Sequence, residues 1–89
     1  MLKKKLVIIN KLGLHARAAS VFVKTASAFS STIDVSNPEK QANGKSIMSM
    51  MLLQAAFGSE IDISIEGEDE TEAMVAIETL VADKFGESE

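Results

Sequence analysis

Alternation with a period of two residues is the feature that most restricts this chain. Ile61, Ile63 and Ile65 are interleaved with Asp62, Ser64 and Glu66, and Ile33 and Val35 with Thr32, Asp34 and Ser36. Successive residues of a strand point to opposite sheet faces, so the pattern predicts strands at 61–66 and 32–36, each with one buried and one wet face. Such strands favour an antiparallel sheet, because parallel strands are covered on both faces and read as continuous apolar runs. The buried face then needs a cover.

Amphipathic helices supply it. From residue 16 to about residue 29, Ala19, Phe22, Val23, Ala26 and Phe29 recur at three- and four-residue spacing, with Ser20, Lys24 and Ser27 on the other side. Ser46 precedes a short helical segment, 47–56, in the N-cap position, and Gly58 is placed to stop it. Leu52, Leu53 and Ala55 of that segment can face inward. A last helix opens at Asp69, with Glu72 three residues on as a variant capping box. It presents Ala73, Met74, Ile77, Leu80, Val81 and Lys84 on one stripe and ends at Gly86 before an acidic tail. Aliphatic residues over 2–9, bounded by Asn10 and Gly13, predict a first strand. A short polar strand is expected over 39–42, between Asn37-Pro38 and Asn43-Gly44. The expected order is β-α-β-β-α-β-α, an α+β open-faced β-sandwich with a four-stranded antiparallel sheet and three helices on one face.

Eighty-nine residues make one domain, 1–89, whose core must be aliphatic, since the chain has four phenylalanines and no tryptophan or tyrosine. A net charge of −4 and few aromatic platforms argue against nucleic acid as a partner. The cluster Lys3-Lys4-Lys5 runs straight into Leu6-Val7-Ile8-Ile9 and reads as the decoration of a strand. That apolar run is too short for a secretory or membrane-spanning segment, so membrane insertion is not expected and the cytoplasm is the default location. The absence of cysteine excludes disulfides, thiolate metal sites and a cysteine nucleophile. One histidine and scattered carboxylates lack metal-ligand spacing, and no metal or cofactor is expected.

The residues with chemistry to offer lie in Gly13-Leu14-His15-Ala16-Arg17-Ala18-Ala19, which holds the only histidine. A glycine-containing turn delivers an imidazole to a helix start, where backbone N–H groups lack intrahelical acceptors and the helix dipole favours an anion. The N–H groups of Ala16, Arg17 and Ala18 form the candidate phosphate cradle, and the guanidinium of Arg17 offers a planar fork for phosphate oxygens. An imidazole can attack phosphorus through a free ring nitrogen and later release the phosphoryl group. No second acid or base lies in the motif beside His15, which disfavours an independent hydrolase.

Gly13-Leu14-His15-Ala16-Arg17, Lys45-Ser46-Ile47-Met48 and Gly58-Ser59-Glu60-Ile61, in register along essentially the whole chain, closely resemble HPr, the histidine phosphocarrier family of the bacterial phosphoenolpyruvate-dependent phosphotransferase system. The resemblance implies the same four-stranded sheet with three helices. It also implies a relay in which phosphorylated enzyme I passes a phosphoryl group to His15, at Nδ1 in that family, and His15 passes it to the IIA unit of a sugar permease. Arg17 matches the family's phosphate-binding arginine, and Ser46 its regulatory serine, a target of HPr kinase/phosphorylase. Ile47, Met48 and Met51 match docking positions, and Ser20, Val21 and Lys24 extend that surface. A monomer is expected, since a carrier must expose one face to successive partners.

Ala18 stands where the family usually has proline, whose fixed φ suits the first turn of a helix. Two other functions remain at this level: a regulatory module acting through Ser46, and a paralogous carrier of a nitrogen-related branch.

Overall fold

The computed structural model describes residues 1–89. In chain order it contains β1 (Leu2–Val7), α1 (Ala16–Ala26), β2 (Thr32–Ser36), β3 (Gln41–Asn43), α2 (Ile47–Leu52), β4 (Glu60–Glu66) and α3 (Glu70–Ala82), then a short 3-10 turn at Lys84–Gly86. The strands form one sheet in the order β1-β4-β2-β3, and every neighbouring pair is antiparallel. The two strands with the cleanest alternation, β2 and β4, lie at its centre, with Val35 opposite Ile63 and Ile33 opposite Ile65. Their isoleucines and valine are buried while Asp62, Glu66 and Thr32 are exposed, so the helices cover one face only. Phe22 of α1, Met50 of α2 and Ile77 of α3 meet that face in one hydrophobic cluster. The architecture is the expected open-faced sandwich.

The element ends differ from the sequence expectation, each for a local reason. β1 stops at Val7, and the chain turns at a buried Asn10. α1 ends at Ala26 instead of 29: Ala28 N–H and Phe29 N–H bond three residues back, to Thr25 and Ala26, and the Lys45 ammonium takes the Phe29 carbonyl at 2.6 Å. β3 begins at Gln41 because the Asn37 side-chain oxygen accepts from both Glu39 N–H (3.0 Å) and Lys40 N–H (2.8 Å), folding those residues into a turn. α2 ends at Leu52, not 56. Gln54 (φ 52°) reverses the chain in the left-handed region, and Gly58 lies in a later turn. Leu52 faces out at 58% exposure, while Leu53 and Ala55 are buried. α3 ends at Ala82, before Gly86.

The expected capping box at Asp69 does not form. Its carboxylate makes no cap to α3 and instead accepts from Ser30 N–H (2.9 Å), Ser31 N–H (3.0 Å) and the Ser31 hydroxyl, tying the start of α3 to the loop before β2. Glu70, not Glu72, reaches back, accepting from Gly67 N–H at 3.3 Å. The Ser31 hydroxyl, followed by the Ser30 N–H, lowers the Asp69 carboxyl to about 2. A carboxyl depressed in the folded state adds stability above its unfolded value of about 3.9 and loses it as pH falls to the folded value. The urea midpoint of the protein should therefore exceed that of Asp69→Asn at pH 5, and the gap should close between about pH 4 and pH 2. A gap that does not change with pH would show that the carboxylate's charge is irrelevant.

Candidate functional site

The turn that carries the imidazole is fastened at both ends. Gly13 N–H bonds the Asn10 carbonyl at 3.1 Å, and Leu14 N–H bonds the Ala55 carbonyl at 2.8 Å. Gly13 has φ +69°, and a Cβ there would stand 2.6 Å from the Ala55 carbonyl oxygen, so the position needs glycine both for its conformation and for its close approach. The chain after α2 thus sets the height of the loop before α1.

His15 is the N-cap residue of α1, with extended backbone and no side-chain cap bond, which leaves its ring free for other contacts. The first helical hydrogen bond runs from Ala19 N–H to the His15 carbonyl at 2.8 Å. The N–H groups of Ala16, Arg17 and Ala18 therefore have no intrahelical acceptor. Ala16 and Arg17 are exposed, and Ala18 is fully buried. The His15 side chain is 30% exposed and opens onto a surface cleft lined in part by Lys11, Arg17, Phe85 and Glu87.

One member of that cleft was not foreseen. Glu87 comes from the segment read as an acidic tail, yet its Oε2 contacts His15 Nε2, and its Oε1 accepts from the Asn10 side-chain amide at 2.9 Å. An acidic group does stand beside His15, supplied from the far end of the chain. The Asn10 amide, then the His15 ring and the Arg17 charge, hold the Glu87 carboxyl below the usual carboxylate range against the opposing effect of burial. Asn10, read from sequence only as a turn former, is completely buried, and its amide also donates to the Gly13 carbonyl at 2.7 Å. The one sequence signal for this arrangement is Phe85, an apolar residue beyond the helix, which is buried and anchors the tail.

Ser46 is the N-cap of α2, where its Oγ accepts from Ser49 N–H at 3.3 Å. It lies outside the residues lining the His15 cleft. Ile47, Met48 and Met51 are 42%, 75% and 42% exposed; Met50 is the methionine of α2 that fills the core. α2 packs against α1, on which Ser20 and Lys24 are exposed and Val21 is half-buried. No cluster of His, Cys, Asp or Glu is arranged to hold a metal ion, and no helix is long and apolar enough to cross a membrane.

Residues 2–83 match the family model for the PTS HPr component phosphorylation site. The chain belongs to the HPr family of phosphocarriers of the phosphotransferase system. It is 51% identical over 89 residues to the phosphocarrier protein HPr of Neisseria meningitidis, covering all of both chains. It is 45% identical to that of Cupriavidus necator, again across both full lengths. Among solved structures it resembles HPr of Thermoanaerobacter tengcongensis, with a TM-score of 0.95 at 47% identity over the whole of each chain. It also resembles Crh, the catabolite repression HPr of Bacillus subtilis, crystallised as a swapped dimer, with a TM-score of 0.75 at 36% identity over 94% of this chain and 97% of that one. The resemblance read from the His15, Ser46 and Gly58 segments is that of the family itself.

Proposed function

We propose that residues 1–89 act as one monomeric, cytoplasmic carrier unit that accepts a phosphoryl group on His15 from phosphorylated enzyme I and passes it to IIA units of sugar permeases. The observation that carries this reading is the partly exposed imidazole at the start of α1, beside Arg17 and three N–H groups without intrahelical acceptors. Those donors and the guanidinium stabilise the charge on the transferring group without entering covalent chemistry. Ala18 leaves a third N–H in this cradle, a donor that the family's usual proline lacks. Ile47, Met48 and Met51, with Ser20, Val21 and Lys24 on the neighbouring helix, form the docking surface. Its exposed methionines suit the re-packing that several partners demand.

The test is phosphorylation with phosphoenolpyruvate and enzyme I, followed by mapping of the label. An acid-labile, alkali-stable label on His15 is expected. Label found only on another residue sinks the reading.

Ser46 adds a regulatory reading. Phosphorylation by an HPr kinase/phosphorylase would bring about −1.5 to −2 charges to the start of α2, where the helix dipole tolerates them, so the fold survives and the effect falls on partners. With Ser46→Asp, thermal unfolding should be little changed, while phosphorylation by enzyme I should slow by about tenfold at low salt and recover as salt rises. An unchanged rate removes the charge-switch role.

A further inference from the structure

We propose that Glu87 is a positioning residue for phosphoryl transfer: gripped by the buried Asn10 amide, its carboxylate accepts the His15 Nε2–H and holds the imidazole in the tautomer whose free lone pair lies on Nδ1. The proposal rests on the reading of His15 as the phosphoryl acceptor and adds a residue from the opposite end of the chain to that site.

The argument begins at Asn10, whose side chain is 0% exposed. Its two neighbours within hydrogen-bond distance, the Gly13 carbonyl and Glu87 Oε1, are both acceptors, so the amide nitrogen must face them. That orientation leaves Asn10 Oδ1 buried without a donor. An orphaned buried acceptor costs stability, so the turn alone does not account for asparagine here; orienting a carboxylate does.

The carboxylate is delivered by a docked tail. Lys84 (φ 57°), Phe85 (φ 56°) and Gly86 (φ 81°) reverse the chain after α3, and the Phe85 ring is buried. Lys11 N–H then bonds the Glu89 carbonyl at 2.6 Å. Glu87 is thereby pinned on both sides, with its side chain only 14% exposed and Oε2 against His15 Nε2.

A carboxylate has no hydrogen to give. The neutral imidazole that meets it must carry its proton on Nε2, which leaves Nδ1 as the nucleophile. When Nδ1 attacks, its lone pair forms the N–P bond while the bond from phosphorus to the donor breaks and its electron pair stays with the donor. The Nε2 proton remains in its hydrogen bond, and the positive charge developing on the ring is balanced by Glu87. Onward transfer returns the N–P electron pair to Nδ1, with the same proton still in place. The division of labour is that of the aspartate that orients histidine in a hydrolase triad.

Glu87→Ala and Glu87→Gln separate this role from simple tail docking. In the unphosphorylated protein, the ring ¹⁵N shifts of His15 should report the Nε2–H tautomer, and Glu87→Ala should relax it toward the solvent mixture. A glutamine can still accept from Asn10, and its own amide then donates to Nε2, which drives the ring proton onto Nδ1. Phosphoryl acceptance should therefore fall by about tenfold in the alanine variant and about a hundredfold in the glutamine variant. A structural role predicts the reverse order, since glutamine is the closer replacement. Unchanged tautomer populations in both variants, or a glutamine variant more active than the alanine variant, overturns the proposal. Because the tautomer is read without any phosphoryl donor, its failure is distinct from a failure of His15 as acceptor, which appears as label elsewhere.

Discussion

His15→Ala should take phosphoryl acceptance from phosphoenolpyruvate and enzyme I below detection while the fold stands. The chain has one histidine and no cysteine, so no other imidazole or thiolate can take over as nucleophile. The donors that would stabilise the transferring group are untouched by the substitution, because they are the backbone N–H groups of α1 and the Arg17 side chain. With those in place and the nucleophile gone, no covalent intermediate can form. The fold has little reason to respond. The His15 side chain makes no cap bond to α1, and its helix-initiating carbonyl is retained. Glu87 loses one partner but keeps Asn10. A change in stability within about 1 kcal/mol is expected, or a melting shift of a few degrees for a chain of this size. Acid-labile label persisting in the variant would falsify the central assignment.

The largest expected loss of stability lies in α1 itself. Phe22 is completely buried in the cluster that joins α1 to the isoleucines of β2 and β4. Truncation removes the transfer energy of the ring and leaves a cavity that the surrounding helices fill only in part, at a cost of about 3–5 kcal/mol. A small domain has about 5–15 kcal/mol in total, and the burial available to a short chain puts it toward the lower end. With a urea slope of about 1.5 kcal/mol/M, Phe22→Ala should lower the midpoint by about 2–3 M. Val75→Ala is the contrast. Val75 is 58% exposed on α3, and its truncation should fall within about 0.5 kcal/mol of the parent. Equal midpoints for the two variants would mean that α1 does not depend on Phe22. Because α1 also carries His15 and Arg17, the same core residue holds the site's geometry, and phosphoryl acceptance by Phe22→Ala should weaken as temperature approaches its lowered melting point.

Much of this was legible from residue patterns, and the reason is locality. Alternation at Ile61, Ile63 and Ile65 or at Ile33 and Val35 depends only on the geometry of a single strand, and the stripe through Ala19, Phe22 and Ala26 only on the pitch of a single helix. Gly13, His15 and Arg17 lie within five consecutive residues, so a turn feeding a helix start brings them together without help from elsewhere. The ends of elements were less legible, because distant groups decide them. The Lys45 ammonium captures the Phe29 carbonyl, Ser30 and Ser31 capture the Asp69 carboxylate that resembled a helix cap, and the Asn37 side chain closes the turn before β3.

The sequence by itself determined the two-faced sheet, the order of its elements, the single available imidazole with its arginine at a helix start, and the membership of the HPr family. Only the tertiary structure decided what stands against that imidazole. Asn10 and Glu87 are separated by 77 positions, and His15 and Glu87 by 72. A turn-forming asparagine and one glutamate of an acidic tail carry no pattern of their own. They become partners because α3 runs back across the core and the buried Phe85 holds the tail over the first turn of α1, and hydrogen bonds between distant segments depend on distance through space rather than on spacing along the chain.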